Sequence, residues 1–127
     1  MSFKSVVYVE DEPDIRRIVN LLLSRRGIDV HDFACGREAL ESPPQAPDLI
    51  LMDLMMHEMD GIETLSCLRK LDSYNTVPCI FFTAKADSNT LASLRKIPNT
   101  DVIYKPFEMR GFCDDLKTYY RRLTQSD

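Results

Sequence analysis

Five polar side chains stand where apolar runs stop. The run LILMDLMMHEMDG, residues 49 to 61, halts on Asp53 and passes through a short loop to Gly61. Near the N-terminus, SVVYVEDEP carries Val6 to Val9 straight into Glu10, Asp11 and Glu12. CIFFT delivers Thr83, followed by the small Ala84, and DVIYKP delivers Lys105 ahead of Pro106. An apolar run of this kind fits a strand buried on both faces of a parallel sheet. A carboxylate at its end is a metal ligand or a nucleophile. If the strands are parallel neighbours, Glu10, Asp11, Asp53, Thr83 and Lys105 converge on the carboxyl edge of the sheet, where open α/β folds bind ligands. Two carboxylates about 4 Å apart repel by about 4 kcal/mol at an effective dielectric near 20. Lys105 alone cannot neutralise three of them. A divalent cation could, and hard Mg2+ favours one or two carboxylates together with water and phosphate oxygens.

The elements that must place these groups alternate between strand and helix, which points to a parallel sheet with crossover helices. Pro13 suits a first helical position, and Ile15, Ile18, Val19 and Leu22 follow the helical period up to a stop at Gly27. IDVHDF, residues 28 to 33, reads as a more polar strand, and a short helix through Glu38, Ala39 and Leu40 stops at Pro43 and Pro44. A third helix is predicted from about Gly61 to Leu71. A fourth runs from about Ser88 to Ile97, with Leu91, Leu94 and Ile97 on one face. The last helix carries Met109, Phe112, Cys113, Leu116, Tyr120 and Leu123 on a stripe. Gly111 inside that helix would cost about 1 kcal/mol relative to Ala. The first, third and fourth strands are almost wholly apolar. The second and fifth, with Asp29, His31 and Asp32 or with Asp101, are polar enough for edges. A doubly wound flavodoxin-like α/β sheet of (βα)5 type, in the order 2-1-3-4-5, puts those two outside.

An acidic pair after the first strand, Asp53 after the third, Thr83-Ala84 after the fourth and Lys105-Pro106 after the fifth resemble the receiver domain of two-component response regulators, of the chemotaxis-regulator type. GREAL, residues 36 to 40, and MDG, residues 59 to 61, agree with it. Thr-Ala or Lys-Pro alone is commonplace; the full series in order, each at a strand end, is specific. The resemblance runs from about Ser5 to about Leu123 and implies one receiver domain over residues 1–127.

The resemblance implies the roles. Asp53 would attack a phosphoryl group and carry it as an acyl phosphate, a carboxylate form of covalent catalysis. Asp11 and Asp53 would bind Mg2+ directly with the backbone carbonyl of Met55, and Glu10 directly or through water. Lys105 and Thr83 would hold phosphoryl oxygens, and Ala84 would leave the entrance open. The donor would be a histidine kinase or histidine phosphotransfer protein. The output would be an altered surface for a downstream protein target, around the fourth helix, fifth strand and fifth helix. The chain would then be no enzyme but a signalling phosphoacceptor that assists its own phosphorylation and dephosphorylation.

Some positions depart from the family pattern. The acidic pair is Glu-Asp where Asp-Asp is commoner, so its reach is altered. Glu12 reads equally as a ligand or as a charge at a helix start. His57 replaces the usual Pro of the loop; it is a solvated side chain or a sensor of pH or phosphate. Val102 occupies the place of a switch Tyr or Phe, which weakens a relay from Thr83. Tyr104, two residues on and therefore on the same strand face, substitutes for it or is a core Tyr with its hydroxyl at the surface.

Bulk properties agree. The chain has 127 residues, 28% of them charged, and a net charge of −4, which does not favour direct nucleic-acid binding. No apolar run approaches the ~20 residues of a membrane span. MSFKS lacks the apolar region of a secretion signal, and Cys35, Cys67, Cys79 and Cys113 lack CxxC spacing and read as reduced thiols of a cytoplasmic protein. Thr124 to Asp127 read as a loose tail. The chain is a stand-alone regulator, a phosphorelay shuttle or a receiver excised from a longer protein. Two other readings compete. An aspartyl-phosphate phosphatase of the haloacid-dehalogenase type would need a second Asp where Met55 stands. A flavin-binding flavodoxin-like module would need a Ser/Thr/Gly-rich phosphate loop where EDEP would repel phosphate.

Overall fold

The computed structural model describes residues 3–84, 87–105 and 110–125. Five strands alternate with five helices: β1 (Ser5–Val9), α1 (Pro13–Ser24), β2 (Asp29–Phe33), α2 (Gly36–Glu41), β3 (Leu49–Asp53), α3 (Gly61–Leu68), β4 (Cys79–Thr83), α4 (Ser88–Arg95), β5 (Thr100–Tyr104) and α5 (Phe112–Thr124). A 3-10 turn, Asp72–Tyr74, lies between α3 and β4. All strand pairs are parallel, in the order β2-β1-β3-β4-β5. This is the flavodoxin-like sheet expected from the strand compositions. Every residue of β3 and β4 is buried, whereas β2 and β5 are partly exposed, as edges must be.

Period-2 alternation splits the core in two. Val6, Tyr8, Leu49, Leu51, Ile80, Phe82 and Ile103 pack on one face with Val19 and Leu23 of α1 and with Phe112, Cys113 and Leu116 of α5. Val7, Val9, Ile50, Met52, Cys79 and Phe81 pack on the other with Ala39, Leu65, Leu68 and Leu94 of α2, α3 and α4. Burying both faces of the central strands removes their backbone from water, so the loops at the strand ends hold the accessible polar groups. All four cysteines are free thiols, Cys79 and Cys113 buried and the other two half-buried.

Several boundaries differ from the sequence expectations. Ile18, expected on the core stripe of α1, is exposed, and Leu23 takes the buried place. α3 ends at Leu68 rather than Leu71, because after the Arg69 cap, whose amide still donates to Leu65, the amides turn to i−3 carbonyls: Lys70 donates to Cys67 and Leu71 to Leu68. α4 ends at Arg95 rather than Ile97, since Pro98 disfavours helical backbone in the residue before it. Gly111 is not inside α5 but at its N-cap, with φ −100°, and its carbonyl accepts from Asp115 N. The interior-glycine cost therefore does not arise. The rest of the α5 stripe packs as expected, and Met109 lies outside the described residues.

At the carboxyl edge, Gly61 is the first residue of α3, and its amide donates to Leu54 O at 2.9 Å to close the loop after β3. A Cβ at Gly61 would collide with the Asp53 carbonyl and press on Leu54 Cα and Met52 Cγ at 3.0 Å. Two of those three are backbone, so relief would require the loop to move. Gly61→Ala should cost about 1–3 kcal/mol, the usual range for overpacking, read as a lower urea midpoint. An unchanged midpoint would show that the loop yields freely.

Candidate functional site

The strand register brings the polar termini together. Val9 pairs with Met52, Asp53 with Phe82 and Thr83 with Tyr104, so β1, β3, β4 and β5 end nearly level. Carboxylate oxygens of Glu10, Asp11 and Asp53 lie within 4.8 Å of one another. Lys105 reaches in from the end of β5, its Nζ 2.9 Å from Glu10 Oε1 and 3.5 Å from Asp53 Oδ1. The same ammonium stands 5.0 Å over the Phe82 ring, and the Lys105 amide donates to Thr83 O at 2.7 Å. Thr83 is buried and Ala84 exposed.

Glu10 is fully buried. Its amide continues the β1–β2 ladder by donating to Phe33 O, and Arg16 Nη1 donates to its carbonyl at 2.7 Å. Its Oε1 also accepts from the Tyr8 hydroxyl at 3.3 Å, and its Oε2 from Glu12 N at 3.3 Å. Glu12 itself is exposed at the N-cap of α1, without a side-chain capping bond, and stands outside the carboxylate cluster. Asp11 is half-buried, and its Oδ2 accepts from His57 N at 3.4 Å. The His57 side chain is exposed; its backbone alone ties the loop to Asp11. Glu58 holds the loop in a left-handed conformation, φ 66°, while Met59 N turns back to His57 O at 2.8 Å. Asp60 Oδ1 then caps α3 by accepting from Glu63 N. Met55, between Asp53 and this turn, is exposed.

The cluster holds more negative charge than its cation offsets. Burial, a hydrogen bond shared with Glu10 and the charges of Glu10 and Asp11 push the Asp53 carboxyl up to about 8, against the pull of Lys105. Burial and the Glu10 carboxylate drive the Tyr8 phenol far upward, so it stays a donor. Three hard oxygen donors with one lysine between them suit a small divalent cation.

Tyr8 and Arg16 escaped the sequence reading. Tyr8 had a signal: a hydroxyl in an apolar strand needs a partner when buried, and Glu10 lies two residues on, on the same face. Arg16 had none, because its target is a backbone carbonyl. Val102 packs against the core beneath α4, and Tyr104 is 48% exposed rather than a core residue. β5 is an edge strand, which leaves one side of it without a neighbouring strand. With Leu91, Leu94 and Ile97 the two line a groove of about 380 Å³ between α4 and β5. Pro106 lies outside the described residues.

Residues 6–117 match the family described as the response regulator receiver domain. Over 122 residues the chain is 34% identical to the transcriptional regulatory protein SrrA of Staphylococcus aureus, covering 95% of this chain and 49% of that protein. It thus spans about half the length of the curated relatives it matches. The chemotaxis protein CheY4 of Vibrio cholerae superposes with TM-score 0.83 at 27% identity, covering 93% of this chain and 99% of that one. The receiver domain of the sensor histidine kinase PA1611 of Pseudomonas aeruginosa, with a magnesium ion coordinated in its active site cleft, gives TM-score 0.78 at 25% identity, over 94% and 96%. None of these likenesses favours the phosphatase or flavin-binding alternative.

The upward displacement of Asp53 has a pH consequence in metal-free protein. The protonated carboxyl is the form the fold prefers, so its contribution is complete below pH 4 and is lost as pH rises through about 8. In EDTA, the melting temperature should fall from pH 5 to pH 8. Asp53→Asn should flatten that slope and melt higher at pH 8, by the equivalent of about 1 kcal/mol or more, since one pKa unit is about 1.4 kcal/mol. Parallel pH profiles for the two proteins would refute this.

Proposed function

From the premise that this chain belongs to the response regulator receiver domain family, we propose that it is a Mg2+-dependent phosphoacceptor that takes a phosphoryl group on Asp53 from a histidine kinase or phosphotransfer protein. The observation that carries this reading is the Glu10, Asp11 and Asp53 cluster spanned by Lys105 at one strand edge. An Asp53 carboxylate oxygen attacks the phosphorus of a phosphohistidine; the O–P bond forms as the N–P bond breaks, and the imidazole leaves and takes up a proton. Mg2+ held by Glu10, Asp11, Asp53 and the Met55 carbonyl would neutralise the carboxylates and the transferring oxygens. Phosphoryl transfer needs positioning and charge neutralisation more than proton transfer. Lys105 supplies both, moving part of its charge from Asp53 to the incoming phosphoryl oxygens. Thr83 donates its hydroxyl to one of those oxygens, and exposed Ala84 leaves the entrance open. The chain is thus a signalling phosphoacceptor that assists its own labelling and hydrolysis, not an enzyme on a separate substrate.

The remaining readings belong to the same proposal. The chain acts as one receiver domain over residues 1–127, with its core at about 5–123, in the cytoplasm. Among the described residues no helix is long and apolar enough to cross a membrane. The acyl phosphate adds about −1.5 to −2 charge, which shifts a conformational equilibrium only through contacts that differ between its states. Thr83 and Lys105 are placed to make those contacts, and α4, β5 and α5 form the surface for a downstream protein target. Direct nucleic-acid binding is left out, given the net charge of −4.

Incubation with acetyl phosphate and Mg2+ should add one phosphoryl group by intact mass, and none in Asp53→Asn or in excess EDTA. Full labelling of that variant would overturn the assignment of the nucleophile; labelling in EDTA would overturn the metal role. Beryllofluoride with Mg2+ should shift amides near residues 53 to 60 and 83 to 91, and Thr83→Ala should shrink the second group. A dominant change at Tyr104, with its ring moving into the groove beside Val102, would instead place the switch on β5.

A further inference from the structure

We propose that Tyr8 is a positioning residue for Glu10: its buried hydroxyl holds a carboxylate one methylene longer than the commoner aspartate at the reach needed to share Mg2+ with Asp11 and Asp53. The inference rests on the reading of those three carboxylates as a Mg2+ site and adds a residue to it. A glutamate has one more rotatable bond than an aspartate, so placing it at a metal site costs more side-chain entropy unless something restrains it.

Both Glu10 oxygens are restrained. Oε2 accepts from the Glu12 amide at the start of α1, and Oε1 accepts from Lys105 and from the Tyr8 hydroxyl. Lys105 is shared, since its Nζ also lies 3.5 Å from Asp53, the residue that changes during the reaction. The tether it offers Glu10 therefore changes with the state of the site. Tyr8 is dedicated. Its ring is fully buried in the core between the sheet and helices α1 and α5, and its hydroxyl makes no other hydrogen bond among the described residues. Period-2 geometry puts it on the same side of β1 as Glu10, directly behind the carboxylate. Beside the three valines of β1, a phenylalanine would bury the same ring without a hydroxyl to satisfy, so packing alone does not account for the tyrosine.

The lone-pair count permits this arrangement. A carboxylate offers about four acceptor positions. Tyr8 and Lys105 occupy two on Oε1 and the Glu12 amide one on Oε2; the fourth serves the hydrogen bond shared with Asp53 in the metal-free protein and would pass to the cation or a water bound to it. Tyr8 then stands behind a ligating carboxylate, and loss of such an outer hydrogen bond generally weakens metal binding by 10–100-fold. The longer acid and the hydroxyl behind it form one unit.

That coupling is the test. Mg2+ is titrated calorimetrically into the full chain as wild type, Tyr8→Phe, Glu10→Asp and the double variant, with urea midpoints in EDTA measured for each. Tyr8→Phe should weaken Mg2+ binding about 10-fold or more while still unfolding cooperatively. In the Glu10→Asp background, where the shorter acid no longer reaches the hydroxyl, adding Tyr8→Phe should leave the affinity nearly unchanged. Equal Mg2+ affinity in wild type and Tyr8→Phe would make Tyr8 a packing residue and end the proposal, with the metal site intact. An equal loss in both backgrounds would also end it, because Tyr8 would then act other than through Glu10. If wild type binds no Mg2+, the metal reading fails and the proposal with it.

Discussion

The organising constraint of this protein is an excess of negative charge at one sheet edge. Glu10, Asp11 and Asp53 are brought within 4.8 Å by strands whose own packing is apolar and indifferent to charge. Among the described residues Lys105 is the cation that reaches them by ion pairing, and it does so from the far side of β4. The surrounding features respond to that imbalance. The Tyr8 hydroxyl, the Glu12 amide and the His57 amide all aim protons at carboxylate oxygens, and Asp53 leans toward its protonated form. Three carboxylates beside one described lysine are costly in isolation, and their hard oxygens suit a divalent cation.

The two-faced core makes the arrangement affordable. With α1 and α5 on one side and α2, α3 and α4 on the other, the central strands need no polar residues within their span. Polar groups appear where each strand leaves the core. This is why the strand order and the polar termini were legible in the amino-acid sequence: an apolar run and its sudden end are one-dimensional signals. Features that depend on a distant backbone atom were not. Arg16 on the Glu10 carbonyl, Gly61 beneath the Asp53 carbonyl and the early stop of α3 have no local pattern. Gly111 was misplaced for a related reason, since a glycine before a helix and a glycine inside one look alike until the cap is seen. Tyr8 passed for core because it is core; only its hydroxyl has other business.

The fifth strand shows how an edge alters what a residue means. Val102 is tucked under α4, and Tyr104, on the same strand face, stays half in solvent beside an open groove. A ring at that position can be covered by α4, by a partner, or by nothing. The family resemblance directs attention to the position of Val102, but in this chain the available aromatic surface is one pleat closer to Lys105 and the carboxylate cluster.

The opposite end of the sheet is built in another manner. Arg69, just past α3, donates to the carbonyls of Pro98, Val77 and Asn99 at 2.6, 2.9 and 3.3 Å, and Asn99 also donates to Thr76 O. Burial lowers the pKa of this guanidinium, which ion-pairs with no carboxylate among the described residues. Tyr74 adds a bond to Pro44 O at 2.7 Å. One side chain thus rivets α3, the entry to β4 and the α4–β5 turn into a single plate. Such a plate works as the wall of a cantilever: sliding α3 along the sheet would break the three Arg69 bonds to backbone carbonyls, whereas the loops that overhang the carboxylates lie at the far end from that clamp.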